Sequence, residues 1–405
     1  MNKYLVINAG SSSLKFSLYE TPTFKEIVNG CFEKIGEDNS FYTLKYNGKK
    51  DEKNAVLKNH TDAVKIMLNE LINYKFIESM NDIKGVGHRI LHGGEYYNDS
   101  VLIDELVFNR IVELTKLGPL HHPGEIEGIK SMIECLPNTS QVAVFDTAFH
   151  QTIPKENYMY PIPYEWYKEN GVRKYGFHGT SHKYITTKMQ EHYNKKDVNI
   201  ISCHIGSGAS IACIKNGLCY NTTMGLTPLD GLMMGTRSGS IDPSIIEYIC
   251  KEKNMTYEEV TNILNKKSGF LGISGKNDYR DVNKLANEGN ENAILAIKMF
   301  EKSVLRYIYQ YYGELEGNID ALVFTAGLAE NNPILRENIV NSLSKISNVG
   351  INKELNNKIA KYLELQEGII STPDSKYDVF VLPTDEEYMI LKDTYNIVNK
   401  VLIKK

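Results

Sequence analysis

The chain has no run of about 18 or more apolar residues, so no segment reads as a helix that crosses a bilayer. Its opening, MNKYLVINAG, has neither an apolar h-region nor a cleavage site, and the reading is that no signal peptide is present. Six cysteines, at 31, 135, 203, 213, 219 and 250, form no C-x-x-C pair. They read as buried apolar thiols in a reducing compartment, which predicts a cytoplasmic protein. The histidines show no H-E-x-x-H and no Cys/His finger spacing, so zinc is not expected. Charge of neither sign is in excess: 46 basic side chains face 50 acidic ones, a formal net charge of -4. That balance removes the electrostatic case for a nucleic-acid partner or an anionic membrane. There is no Walker loop G-x-x-x-x-G-K-[ST], and no G-x-G-x-x-G with the H-R-D and D-F-G companions of protein kinases.

What is present suits a two-domain enzyme. The 405 residues, 42% of them apolar, can bury more than one core. Strand-like and helix-like segments alternate, which predicts an α/β fold. Helical periodicity covers 61–76 and 104–117, and a long helix is expected over about 290–314, with Ile297, Phe300, Val304, Ile308 and Tyr311 as its apolar stripe. The runs QVAVFD (141–146), NIDALVFTAG (318–327) and YDVFVLP read as strands. Pro333 marks a helix start. TDEE (384–387) has the form of a capping box, with Thr384 at the cap and Glu387 three residues on. VINAGSSSLKFSLYE also aligns with SCHIGSGASIACIKNG, Gly10 over Gly206 and Ser11 over Ser207. The match suggests two related halves, each opening on a hairpin whose bend is Gly and Ser, with no linker between them.

Those bends are the first candidates for chemistry. Glycine lets a backbone approach a ligand closely, and successive N–H groups in such a turn form an anion-binding concavity. Lys15, read as alternating inward, would add a cation. Two readings stand here, a phosphate loop or a plain tight hairpin. Arg89, in GHRILHGGE, and Arg237, in GLMMGTRSGS, lie among glycines, where a guanidinium fork can reach a carboxylate or phosphate. A structural salt bridge is the competing reading for each. In FHGTSH the first histidine, His178, sits in a loop beside a helix expected to begin near Ser181, where it can donate to an anion. Asp146, ending a strand, and Glu386, in the first turn of the last helix, are carboxylates of the kind that hold magnesium beside phosphate, or else an ordinary loop acid and a helix N-terminal charge.

Together these stretches resemble the acetate kinase family, of the acetate and sugar kinase, heat-shock ATPase and actin superfamily. INAGSSSLK fits N-x-G-S-S-S-x-K, and HIGSGASIACIKNG fits the second family signature. HRILHGGE, PLHHPGEIEGI, VAVFDTAFHQTIP, YGFHGTSHKY, MGLTPLDGLMMGTRSGSIDP, FTAGLAENNPILRE and LPTDEE follow in the family's order, from residue 3 to about 395. The resemblance implies two actin-like (ribonuclease H-like) domains of duplicated topology with a cleft between them, 1–147 plus the C-terminal helix 384–405 and 148–383. It implies a homodimer through the second domain and magnesium-dependent, reversible, in-line phosphoryl transfer between ATP and acetate. Magnesium, or manganese in its place, is the implied metal, and the implied partners are acetate, ATP, ADP and acetyl phosphate.

Residue by residue, the resemblance assigns Asn8 and Glu386 to the metal and Ser11, Ser13 and Lys15 to the first phosphate loop. Arg89 is then the arginine of the acid's carboxylate, and Leu91, Leu120, Phe177 and Pro228 line its apolar pocket. Asp146 takes the catalytic acid position, and His178 and Arg237 steady the transferring phosphoryl group. His121 and His204 occupy active-site positions. His204, Ile205, Gly206, Ser207 and Gly208, with Asp278, Tyr279 and Arg280 and with Gly327, Leu328, Ala329, Glu330 and Asn331, form the nucleotide segments. A carboxylate oxygen is already nucleophilic, so Asp146 is not read as a general base. The task is to bring two anions together, which is positioning and charge stabilisation.

Four departures from the family pattern stand out. Ser207 replaces an Asn, and Ala329 replaces a Gly, a cost if that position needs positive φ. His122 replaces a common Asn, and Leu91 a common Val, which narrows the pocket for longer acids. Three other readings remain: a propionate or butyrate kinase, a nucleotide-switched binding module, and a kinase that uses pyrophosphate.

Overall fold

The computed structural model describes residues 2–360 and 363–403. The chain divides into two compact units, Met1–Gln151 with Asp385–Lys405, and Thr152–Thr384. Residues 1, 361, 362, 404 and 405 of the division expected from sequence lie outside the described residues.

The first unit is built on an eight-stranded sheet in the order β5-β4-β3-β2-β1-β6-β8-β7. Its strands are β1 Asn2–Ala9, β2 Ser13–Thr21, β3 Lys25–Glu33, β4 Phe41–Tyr46, β5 Lys49–Asn54, β6 Ile83–Ile90, β7 Val101–Leu102 and β8 Ser140–Phe145. Three helices follow in chain order, α1 His60–Asn73, α2 Glu105–Glu113 and α3 His122–Cys135. Alternation explains the two faces of the sheet. Leu5, Ile7, Leu14, Phe16 and Leu18 pack with α1 residues Val64, Met67, Leu68 and Leu71. Tyr4, Val6, Tyr19, Val142 and Val144 pack instead with Ile390, Leu391 and Val398 of the C-terminal helix Glu386–Ile403. That helix lies close on β6 because Gly87 has no side chain: a Cβ there would collide with Thr394 Oγ1 and Ile390.

The second unit is built on a six-stranded sheet, β11-β10-β9-β12-β14-β13. Its strands are β9 Ile200–Ile205, β10 Ala209–Lys215, β11 Leu218–Thr222, β12 Ala321–Thr325, β13 Gly368–Ile369 and β14 Asp378–Val381. Six of its helices matter below: α4 Gly179–Tyr193, α5 Ser244–Lys253, α6 Tyr279–Asn287, α7 Glu291–Glu314, α8 Gly327–Asn331 and α9 Pro333–Leu343. Every residue of β9 and of β12 is buried.

The two sheets repeat one plan. β1 pairs antiparallel with β2 and parallel with β6, and β6 is parallel to β8. β9 pairs antiparallel with β10 and parallel with β12, and β12 is parallel to β14. β3 and β11 extend the antiparallel side of each. The short Gly-Ser similarity in the sequence thus marks the two central hairpins of a duplicated topology.

Some local expectations shift. The last helix is capped by Asp385, whose carboxylate accepts from Tyr388 N–H at 2.8 Å. Thr384 instead meets Ser181, and Glu387 accepts from the hydroxyls of Ser17 and Tyr19, so tertiary partners override the capping box. α4 starts at Gly179, with His178 as its N-cap in the left-handed region (φ 57°). Lys15 is exposed, not inward. Ile297 is only half-buried, and the α7 stripe is completed by Ala293 and Ala296. All six cysteines are free; Cys203, Cys213 and Cys219 are buried, whereas Cys31, Cys135 and Cys250 are half-buried.

Candidate active site

In the first unit, three parallel strands end at one level and present polar groups on the face that holds the C-terminal helix. Asn8 is next to last in β1 and stands opposite Lys15 in the β1–β2 register. Arg89 is next to last in β6, and Asp146 follows β8. Asp146 is fully buried and takes a forked contact from Arg89, Nε at 3.2 and 3.3 Å and Nη2 at 2.6 Å. The Asp146 charge, outweighing burial, holds the guanidinium well above its usual range. This pairing uses one edge of the fork and leaves Nη1 for another carboxylate. Glu386, the first residue of its helix, is pushed up to about 7 by burial; Arg89 pulls it down and Asp146 raises it further.

The bend between β1 and β2 is tied by Gly10 N–H to the Ser13 carbonyl, 2.8 Å. Ser11 is exposed and Ser13 half-buried. His60 Nε2 donates to the Gly10 carbonyl from the first residue of α1. The first turn of α3 presses on the same backbone, since a Cβ at Gly124 would collide with Gly10. Leu91 is 6% exposed, its backbone N–H held by Glu125 at 3.1 Å, while Leu120 is 67% exposed. His121 is the exposed residue preceding α3.

In the second unit, the bend between β9 and β10 is tied one residue more tightly, Gly206 N–H to the Gly208 carbonyl at 3.0 Å. The motif segments gather around it. A Cβ built on Gly208 would lie 3.4 Å from His178 Nε2 and 3.7 Å from Arg237 Nη1, and one on Gly206 would lie 3.6 Å from the Ala326 methyl. Gly235 lies between the Ser207 and Asn277 carbonyls, which brings the segment before Asp278 to the same turn. Only bare glycines leave this space open. His178 stacks on His204 with ring centroids 4.2 Å apart and is hydrogen-bonded to Ser210; His204 is held by Ser181. Arg237 Nη1 donates to the Pro228 carbonyl at 3.3 Å. No ion pair to Arg237 occurs among the described residues, and burial draws its guanidinium below the usual value. Phe177, beside His178, is buried, and Ile205 is buried in β9.

Asp278 caps α6 and pairs with Arg280, leaving Tyr279 against Phe270 and Phe300. Gly327 is exposed with open space above it, Leu328 and Glu330 are half-buried, and Asn331 donates to the Gly327 carbonyl. Ala329 is fully buried and is not a positive-φ residue, so the backbone cost considered for it does not arise. The strained residue is Ala326, at φ 67° and ψ 161°, a region otherwise almost confined to glycine.

Sequence reasoning missed Arg336. It is fully buried on α9 and donates to the carbonyls of Ala329, Glu330, Asn356 and Ile359 and to the Asn356 side chain, at 2.7 to 2.9 Å. It braces α8 from beneath, and nothing local in ILRENIV marks it. Glu125 and His122 were also missed as a pair, although PLHHPGE placed them a turn apart.

Residues 3–392 match the acetokinase family. The acetate kinase of Thermoanaerobacterium thermosaccharolyticum is 48% identical over 405 residues, covering 98% of this chain and all of that protein. Two crystal structures superpose over 98% of this chain and 100% of their own, each at 40% identity: Porphyromonas gingivalis acetate kinase, TM-score 0.92, and a propionate kinase from Francisella tularensis, TM-score 0.91. With the match running nearly end to end, the chain belongs to the acetokinase family.

Proposed function

We infer that this chain transfers the γ-phosphoryl group of ATP to acetate, reversibly, giving acetyl phosphate and ADP. Family membership supports the reaction class. The observation that supports the roles most directly is the convergence of His178, Arg237 and Ala326 on the glycines of the 206–208 bend. Among the described residues Arg237 there has no carboxylate to neutralise it, which leaves its charge for a phosphoryl oxygen.

The reading assigns the acid to the first unit and the nucleotide to the second, so the reaction needs both. Asp146 fixes the Arg89 fork, and the remaining Nη1 receives the acetate carboxylate, with Leu91 and Leu120 as the first unit's apolar groups for the methyl end. Acetate attacks with its own oxygen, so no proton is removed and Asp146 serves by orienting Arg89. Negative charge spreading over the equatorial phosphoryl oxygens meets Arg237 and the His178 ring, whose tilt is fixed by Ser210 and by stacking on His204. The backbone of Gly206–Gly208 and the hydroxyls of Ser11, Ser13 and Ser207 serve the phosphates, Lys15 adds charge, His121 closes the acid side, and the segments 278–280 and 327–331 serve the nucleoside.

A divalent metal fits the donor set. Asn8 near the end of β1 and Glu386 at the start of the C-terminal helix offer hard oxygens, and the burial that raises Glu386, with the charges of Asp146, Asp385 and Glu387 added, is what a cation relieves. Magnesium or manganese, shared with phosphate oxygens, would supply charge neutralisation.

Propionate is the second acid to consider, because a propionate kinase matches as well in structure as an acetate kinase does. The buried Leu91 favours the shorter acid. Acyl-phosphate formation, trapped as the hydroxamate, tests this across acetate, propionate and butyrate with ATP or pyrophosphate. The expected order is acetate, then propionate, with butyrate negligible and ATP the donor; no acyl phosphate from any acid overturns the reaction. We further propose a homodimer formed through the second unit. α5 has no buried residue, yet Ile245 and Tyr248 on it, with Ile241 and Tyr257 nearby, are exposed apolar groups.

A further inference from the structure

Glu125 and His122 lie one turn apart on α3, both buried, and each leaves one polar atom without a hydrogen bond: Glu125 Oε2 and His122 Nε2. Those two atoms face each other at 3.9 Å. The other atom of each group is committed. His122 Nδ1 lies 2.9 Å from the Ile111 carbonyl, which can only accept, so the ring carries its proton on Nδ1. Glu125 Oε1 accepts the Leu91 N–H. An ionised carboxylate would therefore aim a bare acceptor at a bare acceptor in a buried setting, a costly arrangement. One proton between Oε2 and Nε2 satisfies both, and a small torsion of the Glu125 side chain closes the gap.

We propose that Glu125 holds this shared proton and, as an uncharged acid, is a positioning residue for the acyl pocket, seating Leu91 while keeping negative charge away from Arg89. The inference rests on Leu91 and Arg89 binding the acid. The groups around the pair are few. Arg89 of β6 and Asp146 after β8 act on Glu125 in opposite directions, while His121 beside His122 discourages a charged ring and the His92 carbonyl favours one. Burial dominates for both members: it pushes Glu125 up to about 8 and His122 down, so the proton rests on the carboxyl. Above that pH a carboxylate appears near Arg89 and opposes a second carboxylate, the substrate. A charge of this kind near an ionised group is worth about one to three powers of ten.

The test combines two readouts on the intact enzyme. In protein labelled with carboxyl-13C glutamate, the resonance missing from Glu125→Gln identifies Glu125, and its expected midpoint is near pH 8. The KM for acetate should be flat below that midpoint and rise about tenfold or more above it. In Glu125→Gln, which keeps the acceptor for Leu91, the alkaline rise in KM should disappear; Glu125→Ala, which loses it, should raise KM throughout. A Glu125 carboxyl that titrates in the ordinary range, or an alkaline rise in KM that survives Glu125→Gln, overturns the proposal. An unchanged acetate KM in Leu91→Ala overturns instead the placing of the acid, and with it the positioning role, while the NMR titration still decides the shared proton.

Discussion

At the scale of single residues, the informative groups are those whose usual partner is taken or absent. Arg89 spends one edge of its fork on Asp146, and Arg237, among the described residues, donates to a carbonyl and a thioether sulfur and forms no ion pair. Losing a charged hydrogen bond of this kind costs about 1.5–3 kcal/mol. Arg89→Ala should therefore raise the KM for acetate about 10- to 100-fold, and Arg89→Lys, which keeps the charge without the fork, by less; an unchanged KM in steady-state assays removes Arg89 from the acid site. Glu125 gives a stability effect with a definite sign. Its folded-state value, about 8, lies above the ordinary 4.5, so the native state keeps a proton the unfolded chain has lost. Its contribution is complete below 4.5 and fades as pH climbs through 8. Relative to wild type, Glu125→Gln should gain Tm between pH 5 and pH 9 by calorimetry, and an equal Tm difference at both ends would contradict it. The two arginines were legible in the sequence because glycines stood beside them. Their partners were not, since Arg89 and Asp146 are 57 positions apart and meet only through the β6–β8 pairing.

At the scale of elements, periodicity located α1, α2, α7 and the buried strands, because each buries a face whose spacing is written in the residues. Caps were less legible. TDEE offered two competent cap residues, and the choice fell to Asp385 because Ser17, Tyr19 and Ser181 claimed the others. α8 shows the same dependence on distant groups. A five-residue helix has little stability of its own, and here the buried Arg336 ties its carbonyls to Asn356 in the short helix Lys353–Lys358. Arg336→Met leaves several buried carbonyls without donors at about 1–3 kcal/mol each. It should lower Tm and raise the KM for ATP several-fold while sparing the KM for acetate. Equal effects on both substrates would contradict a role confined to the nucleotide loop.

At the scale of the whole molecule, the repeat of one strand plan in two sheets explains why two glycine-serine bends, at Gly10 and Gly206, fall at equivalent places in the topology. Sequence showed only the hairpins of that repeat, because the later strands match in pairing and direction but not in residues. The exposed apolar face of α5 sets an expectation for assembly: sedimentation should give a dimer, and Ile245→Asp with Tyr248→Asp a monomer. A wild-type monomer at micromolar concentration would contradict it. The account as a whole rests on Arg237 stabilising a phosphoryl group in flight, a contribution of roughly 10³ to 10⁵ in rate where an arginine has that role. Its most direct test is kcat and KM of Arg237→Ala with ATP and acetate. The account expects kcat to fall by about 10³ or more with the KM for acetate changed only a few-fold; a kcat close to wild type would contradict it.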